Sequence, residues 1–222
     1  MMTLQQLLNF PAAPEVALLF MTCVVLLLEL FVKQKNSLLT YTASQLSLLI
    51  SLVLVSHLYR IPAQLLFHQH YIWDLVAYFI KLSILFFSIF AFVYARDALK
   101  HLGINSGEYY LLGLFSILGM LVLTSANSLL TLYLGLELLS FPLYALVALQ
   151  RKPSDAAEAA MKYFILGALA SGLFLYGLSL LYGATHSLII PTIKSFLVLK
   201  SINFQICSGV NDNTNSTLLI IY

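Results

Sequence analysis

The chain has 222 residues, 61% of them hydrophobic and 9% charged, with a net charge of +2. Ordinary soluble domains are about 45–50% apolar and about 25% charged, so a water-soluble core is excluded and a polytopic membrane protein is indicated. The small net charge, with no basic patch interleaved with aromatics, excludes a nucleic-acid partner.

No basic segment precedes the first apolar run, and Lys33 and Lys35 follow it. That order fits a retained first helix rather than a cleaved signal. Span one is read as Pro14 to Val32, with Pro11 and Pro14 in an entry turn. Glu29, close to Lys33, reads as a carboxylate snorkelling to the interface. Cys23 in this span and Cys207 near the C-terminal end are isolated and match no metal or redox spacing. Span two, Ser37 to Leu58, is uncharged, and its Thr, Ser and Gln residues suggest helix-to-helix hydrogen bonds. Arg60 to Tyr71 reads as a loop. His57, His68 and His70 lie in or beside it, without the carboxylate or cysteine company that a metal site needs.

Span three, Trp73 to Ala95, has Asp74 at its mouth and Lys81 about 12 Å from Trp73, at ~1.5 Å per residue. Lys81 is a candidate functional charge, or the cation of a structural pair with an acid on a neighbouring helix. Span four is Tyr109 to Thr124. Ser125 to Asn127 make a tight turn, and span five runs to Leu149. Span six opens at Ser154 or Asp155, where Asp155 and Glu158 fit a capping box behind Pro153, and runs to about Gly183. Loops after spans one, three and five hold Lys33, Lys35, Arg96, Lys100, Arg151 and Lys152, whereas those after two and four offer Arg60. This bias puts the odd loops in the cytoplasm and the N-terminus on the periplasmic side.

The stretch from Ser125 to Gly183 carries the chemistry. Glu137 lies mid-way along span five and Lys162 lies in span six. A charge at such a depth costs roughly 2.5–3.5 kcal/mol on insertion scales, which favours pairing and function. Pro142 has no N–H, so it frees the carbonyl of Leu138, one residue from the carboxylate. A buried acid beside a loosened turn and an adjacent cation is a proton site, because burial raises an acid's pKa and a cation lowers it again. Glu137 and Lys162 are therefore expected to share one pocket, bridged by water. Gly167, Ala168, Ser171 and Gly172 read as a small-residue packing stripe. No phosphate loop, nucleophile triad, haem or iron–sulfur motif accompanies them.

The segments GLELLSFPLYALVAL and MKYFILGALASG, with PEVALL…LLLELF and GEYYLLGLFSILGMLVL before them, carry a resemblance over roughly residues 10 to 187. They resemble the subunit N branch of the antiporter-like family of bacterial NADH:quinone oxidoreductase (respiratory complex I), which also includes the Mrp-type cation/proton antiporters. The resemblance implies an inner-membrane, multi-pass, all-α fold of about six spans, part of a fold of fourteen or so helices. It also implies a proton-translocating role for Glu137 and Lys162. No cofactor would be bound by this chain. NADH, FMN, iron–sulfur clusters and quinone would belong to the rest of the complex, and other membrane-arm subunits and the lipid bilayer would be its partners. The chain would thus be an enzyme subunit without redox chemistry of its own. A stand-alone cation/proton antiporter and a non-functional fragment are the alternatives.

The family pattern stops after Ser187. Leu188 to Leu199 is too short for a span, and NDNTNST has no packing pattern. Residues 1–187 are therefore expected to hold helices one to six, and 188–222 a divergent tail of the kind a frameshift or disorder leaves. The family's seventh-helix lysine, the expected exchange partner of Glu137, is not in the sequence.

Overall fold

Six apolar stretches become helices because in lipid a helix satisfies every backbone N–H and C=O within its own segment. The computed structural model describes residues 10–31, 37–102, 106–149 and 154–209. In chain order these form α1 (Ala13–Phe31), α2 (Ser37–His57), a 3₁₀ turn (Leu58–Arg60), β1 (Gln64–Leu66), β2 (Tyr71–Trp73), α3 (Leu75–Leu102), α4 (Ser106–Thr124), α5 (Leu129–Val147), α6 (Ser154–Thr185) and α7 (Ile190–Gly209). Helices α1 to α6 each contain a stretch long and apolar enough to cross a membrane. The protein is thus an all-α, multi-pass membrane protein with one small hairpin.

That hairpin replaces the loop expected over Arg60 to Tyr71. Gln64 pairs with Trp73 and Leu66 with Tyr71. The tip is tight: Phe67, His68 and Gln69 all take left-handed backbone, at φ 51°, 54° and 69°, and His70 N–H closes it on Phe67 O at 3.1 Å. Trp73 belongs to β2, not to the third helix. Asp74 sets the boundary, since its Oδ1 accepts the Ala77 N–H at 2.7 Å and so satisfies a donor that the first turn of α3 leaves free.

Helices α1 to α4 form the core, with Leu18, Leu48, Leu85, Leu114 and Leu121 fully buried. Helix α5 joins it by close backbone approach. A Cβ on Gly119 of α4 would stand 2.5 Å from the Leu139 nitrogen, and one on Gly135 of α5 would stand 3.0 Å from the Leu123 nitrogen. Helix α6 leans on α5 at the edge, with 6% of its span buried against 44% for α4.

One end of the bundle is knitted together. Tyr71 Oη donates to Pro11 O at 3.0 Å, Ile72 N–H to Ser125 O at 2.9 Å, Leu129 N–H to Leu188 O at 2.9 Å and Ile190 N–H to Asn127 O at 3.1 Å. The start of α1, the hairpin, the α4–α5 turn and the α6–α7 turn therefore share a side, as six alternating spans require.

Two expectations are corrected. Most hydroxyls of α2 do not bridge helices: Ser44, Ser47 and Ser51 donate to carbonyls of their own helix, the cheapest acceptors in reach. Only Gln45 Nε2, 3.4 Å from Ile89 O, and Thr40 cross to a neighbour among the bonds found for this helix. Thr40 reaches Glu29 Oε2 at 2.5 Å, and the carboxylate fills the space beside Gly107. Glu29 thus turns inward between α1, α2 and α4 instead of snorkelling outward. The run Leu188 to Leu199, expected to be too short for a span, contributes its residues from Ile190 onward to α7, which ends at Gly209 and is not among the six candidate spans.

Candidate functional site

Two matching stripes build the site. On α5, Tyr133, Glu137, Ser140 and Tyr144 fall at spacings of four, three and four, which is one helix face. On α6, Gly167, Ser171 and Phe174 do the same. Because the helices run antiparallel, Tyr133 stacks on Phe174 with centroids 6.1 Å apart and planes at 15°, Glu137 meets Ser171, and Tyr144 fills the space beside Gly167.

The result is a partly open cleft of about 260 Å³ between the two helices. Glu137 is half-buried in its wall. Its Oε1 accepts the Ser171 hydroxyl, and Tyr133 lines the same cleft. Aromatic rings close the cleft above and below: Tyr133 with Phe174, and Tyr144 edge-on to Tyr163 at 4.9 Å. The Ser171 hydroxyl holds the carboxylate in place, and the cleft is open on one side.

Pro142 lies inside an unbroken α5. Ser140 does not meet the freed Leu138 carbonyl, because its hydroxyl donates to Leu136 O at 2.7 Å. The Leu138–Leu139 backbone instead lies against Gly119, so the loosened turn is backed by α4.

Lys162 is not brought into this cleft. Its Nζ pairs with Glu158 Oε1 at 2.5 Å, both side chains being about two-thirds exposed at 69% and 65%. Nine residues separate Lys162 from Ser171, which is two and a half turns, or about 13 Å and half a revolution. Lys162 therefore sits level with the end of α5 and on the other side of α6. The expected shared pocket fails on helix length: α6 has 32 residues and overshoots the end of α5, so depths counted from the two helix ends do not share a baseline. Glu158 is spent on Lys162 rather than on a capping box, and the side chain of Asp155 lies outside the described residues.

Lys81 finds the acid on a neighbouring helix, and it is one the sequence reading did not single out. Its side chain is wholly buried and forms an ion pair with Glu15 of α1. Lys81 Nζ also donates to Tyr71 Oη at 2.8 Å and stands 4.9 Å from the ring centroids of both Tyr71 and Trp73. Burial, and next the Glu15 carboxylate, push the Tyr71 phenol well above its ordinary value, so it stays protonated. Glu15 escaped notice because an acid in a first helical turn ordinarily reads as a dipole partner.

His70 Nδ1 lies 2.9 Å from Ser128 Oγ, the N-cap of α5. It ties the hairpin to that helix. Among the described residues no group of three or more His, Cys, Asp or Glu could hold a metal ion. Cys23 is exposed on α1.

Residues 126–221 match the family model described as NADH:quinone oxidoreductase/Mrp antiporter, TM. The chain is 43% identical over 196 residues to NADH-quinone oxidoreductase subunit N of Thioalkalivibrio sulfidiphilus, covering 88% of this chain and 41% of that protein. It is 48% identical over 199 residues to the subunit N of Halorhodospira halophila, covering 90% and 41%. A chain of respiratory complex I from Thermus thermophilus superposes with a TM-score of 0.65 at 32% identity, over 80% of this chain and 38% of that one. A chain of an archaeal membrane-bound sulfane sulfur reductase gives 0.66 at 23% identity, over 82% and 39%, and shares the fold. The chain thus spans about two fifths of the length of these relatives, at 41% of each.

Proposed function

We propose that this chain, whose residues 126–221 match the NADH:quinone oxidoreductase/Mrp antiporter model and which is similar to NADH-quinone oxidoreductase subunit N, belongs to that family and is part of a membrane-arm subunit that moves protons. In this reading NADH is oxidised and quinone reduced by other parts of the complex, where NADH, FMN, iron–sulfur clusters and quinone bind. This chain binds none of them and resides in a bacterial inner membrane with its N-terminus periplasmic. Its partners are the bilayer and the other membrane-arm subunits.

The observation that carries the proposal is the Glu137 carboxylate, half-buried in a cleft and held by the Ser171 hydroxyl. Glu137 takes up and releases the proton. Ser171 donates a hydrogen bond to it, and the Tyr133–Phe174 stack and Tyr144 limit where water reaches it. Lys162 acts by a change of partner, leaving Glu158 when its outer face of α6 is covered by the rest of the membrane arm. Its charge then bears on Glu137 across the helix rather than through a direct bridge.

The test is NADH-driven proton uptake into inner-membrane vesicles bearing the assembled complex. Glu137→Gln should abolish uptake carried through this chain, and Ser171→Ala should reduce it less. Unchanged pumping per NADH in Glu137→Gln would overturn the reading.

A further inference from the structure

The Glu15–Lys81 pair is more elaborate than a structural ion pair requires. Glu15 is 7% exposed and Lys81 0% exposed, yet the pair is not closed. Glu15 Oε1 accepts from Lys81 and from Tyr71 Oη, the latter at 3.1 Å, whereas the buried Glu15 Oε2 has no hydrogen-bond partner among the described residues. A carboxylate oxygen left without a donor in such a place is costly, and it is also a vacant position for a proton.

The neighbours are arranged for that proton. With Glu15 neutralised, a lone buried ammonium would ordinarily be intolerable. Lys81 keeps support that does not depend on Glu15: the Tyr71 oxygen at 2.8 Å and the Trp73 ring, with its centroid at 4.9 Å, whose quadrupole attracts a cation. The phenol likewise has an alternative. Its single proton can serve either Glu15 Oε1 or Pro11 O, at 3.1 and 3.0 Å. When the carboxylate loses its charge, the phenol still has an acceptor within reach, Glu15 Oε1 or Pro11 O. Asp74, capping α3, is the other charged group that bears on Lys81.

We propose that Glu15, Lys81 and Tyr71 form a second proton-holding site, at the knitted end of the bundle and separate from the Glu137 cleft. A proton from hydronium binds Glu15 Oε2 and makes one O–H bond. Lys81 stays an ammonium, and the cluster goes from net zero to +1. Release reverses each step. The purpose of the site, storing a proton in transit, rests on the reading of this chain as proton-translocating. Its existence does not.

Infrared difference spectroscopy after an acid pH jump, on the whole chain in lipid vesicles in light and heavy water, reads carboxyl protonation directly. The expected result is a deuterium-sensitive carboxyl C=O band that is lost in Glu15→Gln, kept in Glu137→Gln and shifted in Tyr71→Phe. Glu15→Gln spectra that superimpose on those of the unaltered chain would overturn the proposal. Should Glu15→Gln not fold, Tyr71→Phe decides, because a band insensitive to that change does not come from Glu15. A failure of the Glu137 reading shows separately, as unchanged pumping in Glu137→Gln with the Glu15 band intact.

Discussion

Lys162 Nζ lies 2.5 Å from Glu158 Oε1, one turn back along α6, and half a revolution away from the hydroxyl that Glu137 accepts. Both side chains are about two-thirds exposed, at 69% and 65%. Such an i,i+4 pair contributes about 0.3–0.5 kcal/mol. Glu158→Gln is therefore expected to leave the thermal unfolding midpoint of the detergent-solubilised chain almost unchanged. A shift worth more than about 1 kcal/mol would mean that the pair is held by burial. The low strength has a functional side, since a lysine held this weakly changes partner at little cost.

Two glycines separate packing from propensity. Gly119 has the Leu139 nitrogen 2.5 Å from where its Cβ would be, whereas Gly172 has nothing within 4 Å. Gly119→Ala must push α5 away from α4 and should cost about 1–3 kcal/mol in unfolding by denaturant. Gly172→Ala should stabilise α6 by up to about 1 kcal/mol, because alanine is the better helix former and meets no obstacle. Equal effects at the two positions would contradict the close α4–α5 approach.

The α5–α6 face was only half legible in the sequence: Glu137 stood out, but Lys162 was expected as its partner and Ser171 read as packing. Tyr133, Glu137, Ser140 and Tyr144 keep helical spacing, and Gly167, Ser171 and Phe174 answer it in reverse order. A stripe read that way identifies Ser171 as the partner of Glu137 rather than as mere small-residue packing. The six spans and their alternation were legible too, because long apolar runs admit one solution in lipid. The Lys81 pair was half legible. A charge that far into a span needs a partner, but nothing in the sequence distinguishes Glu15 from any first-turn acid. The hairpin was not legible: three left-handed residues, Phe67, His68 and Gln69, lack the glycine that marks such a tip. The direction of Lys162 was lost because a 32-residue helix exceeds what a bilayer needs, and its extra length shifts the register against α5.

Tyr71 makes a prediction for alkaline solution. Its phenol is pushed up from the ordinary 10.0 by burial. Below pH 10 neither the folded nor the unfolded chain has ionised this group, and its contribution to stability is fully present. Above pH 10 the unfolded chain releases the proton while the folded chain keeps it. Stability then falls by up to about 1.4 kcal/mol per pH unit from this residue. Tyr71→Phe should flatten that part of the stability profile, measured by denaturant unfolding on either side of pH 10. A profile of unchanged slope would mean that the phenol is open to solvent.

The buried pair itself sets the last test. Removing one charge of such a pair leaves the other without compensation and typically costs about 3–5 kcal/mol, whereas replacing both by groups of similar size is often close to neutral. Lys81→Met alone should therefore sharply lower the unfolding midpoint in detergent, since Glu15 is then buried with only Tyr71 for a donor. Glu15→Gln alone should cost less, because Lys81 retains the Tyr71 oxygen and the Trp73 ring. The double variant Glu15→Gln/Lys81→Met should recover most of the loss, giving a coupling energy outside the range of independent sites. The asymmetry between the single variants is the informative part. If Glu15→Gln proved as damaging as Lys81→Met, the Tyr71 oxygen and the Trp73 ring would contribute nothing to holding the ammonium, and the cluster could not keep its cation when Glu15 accepts a proton.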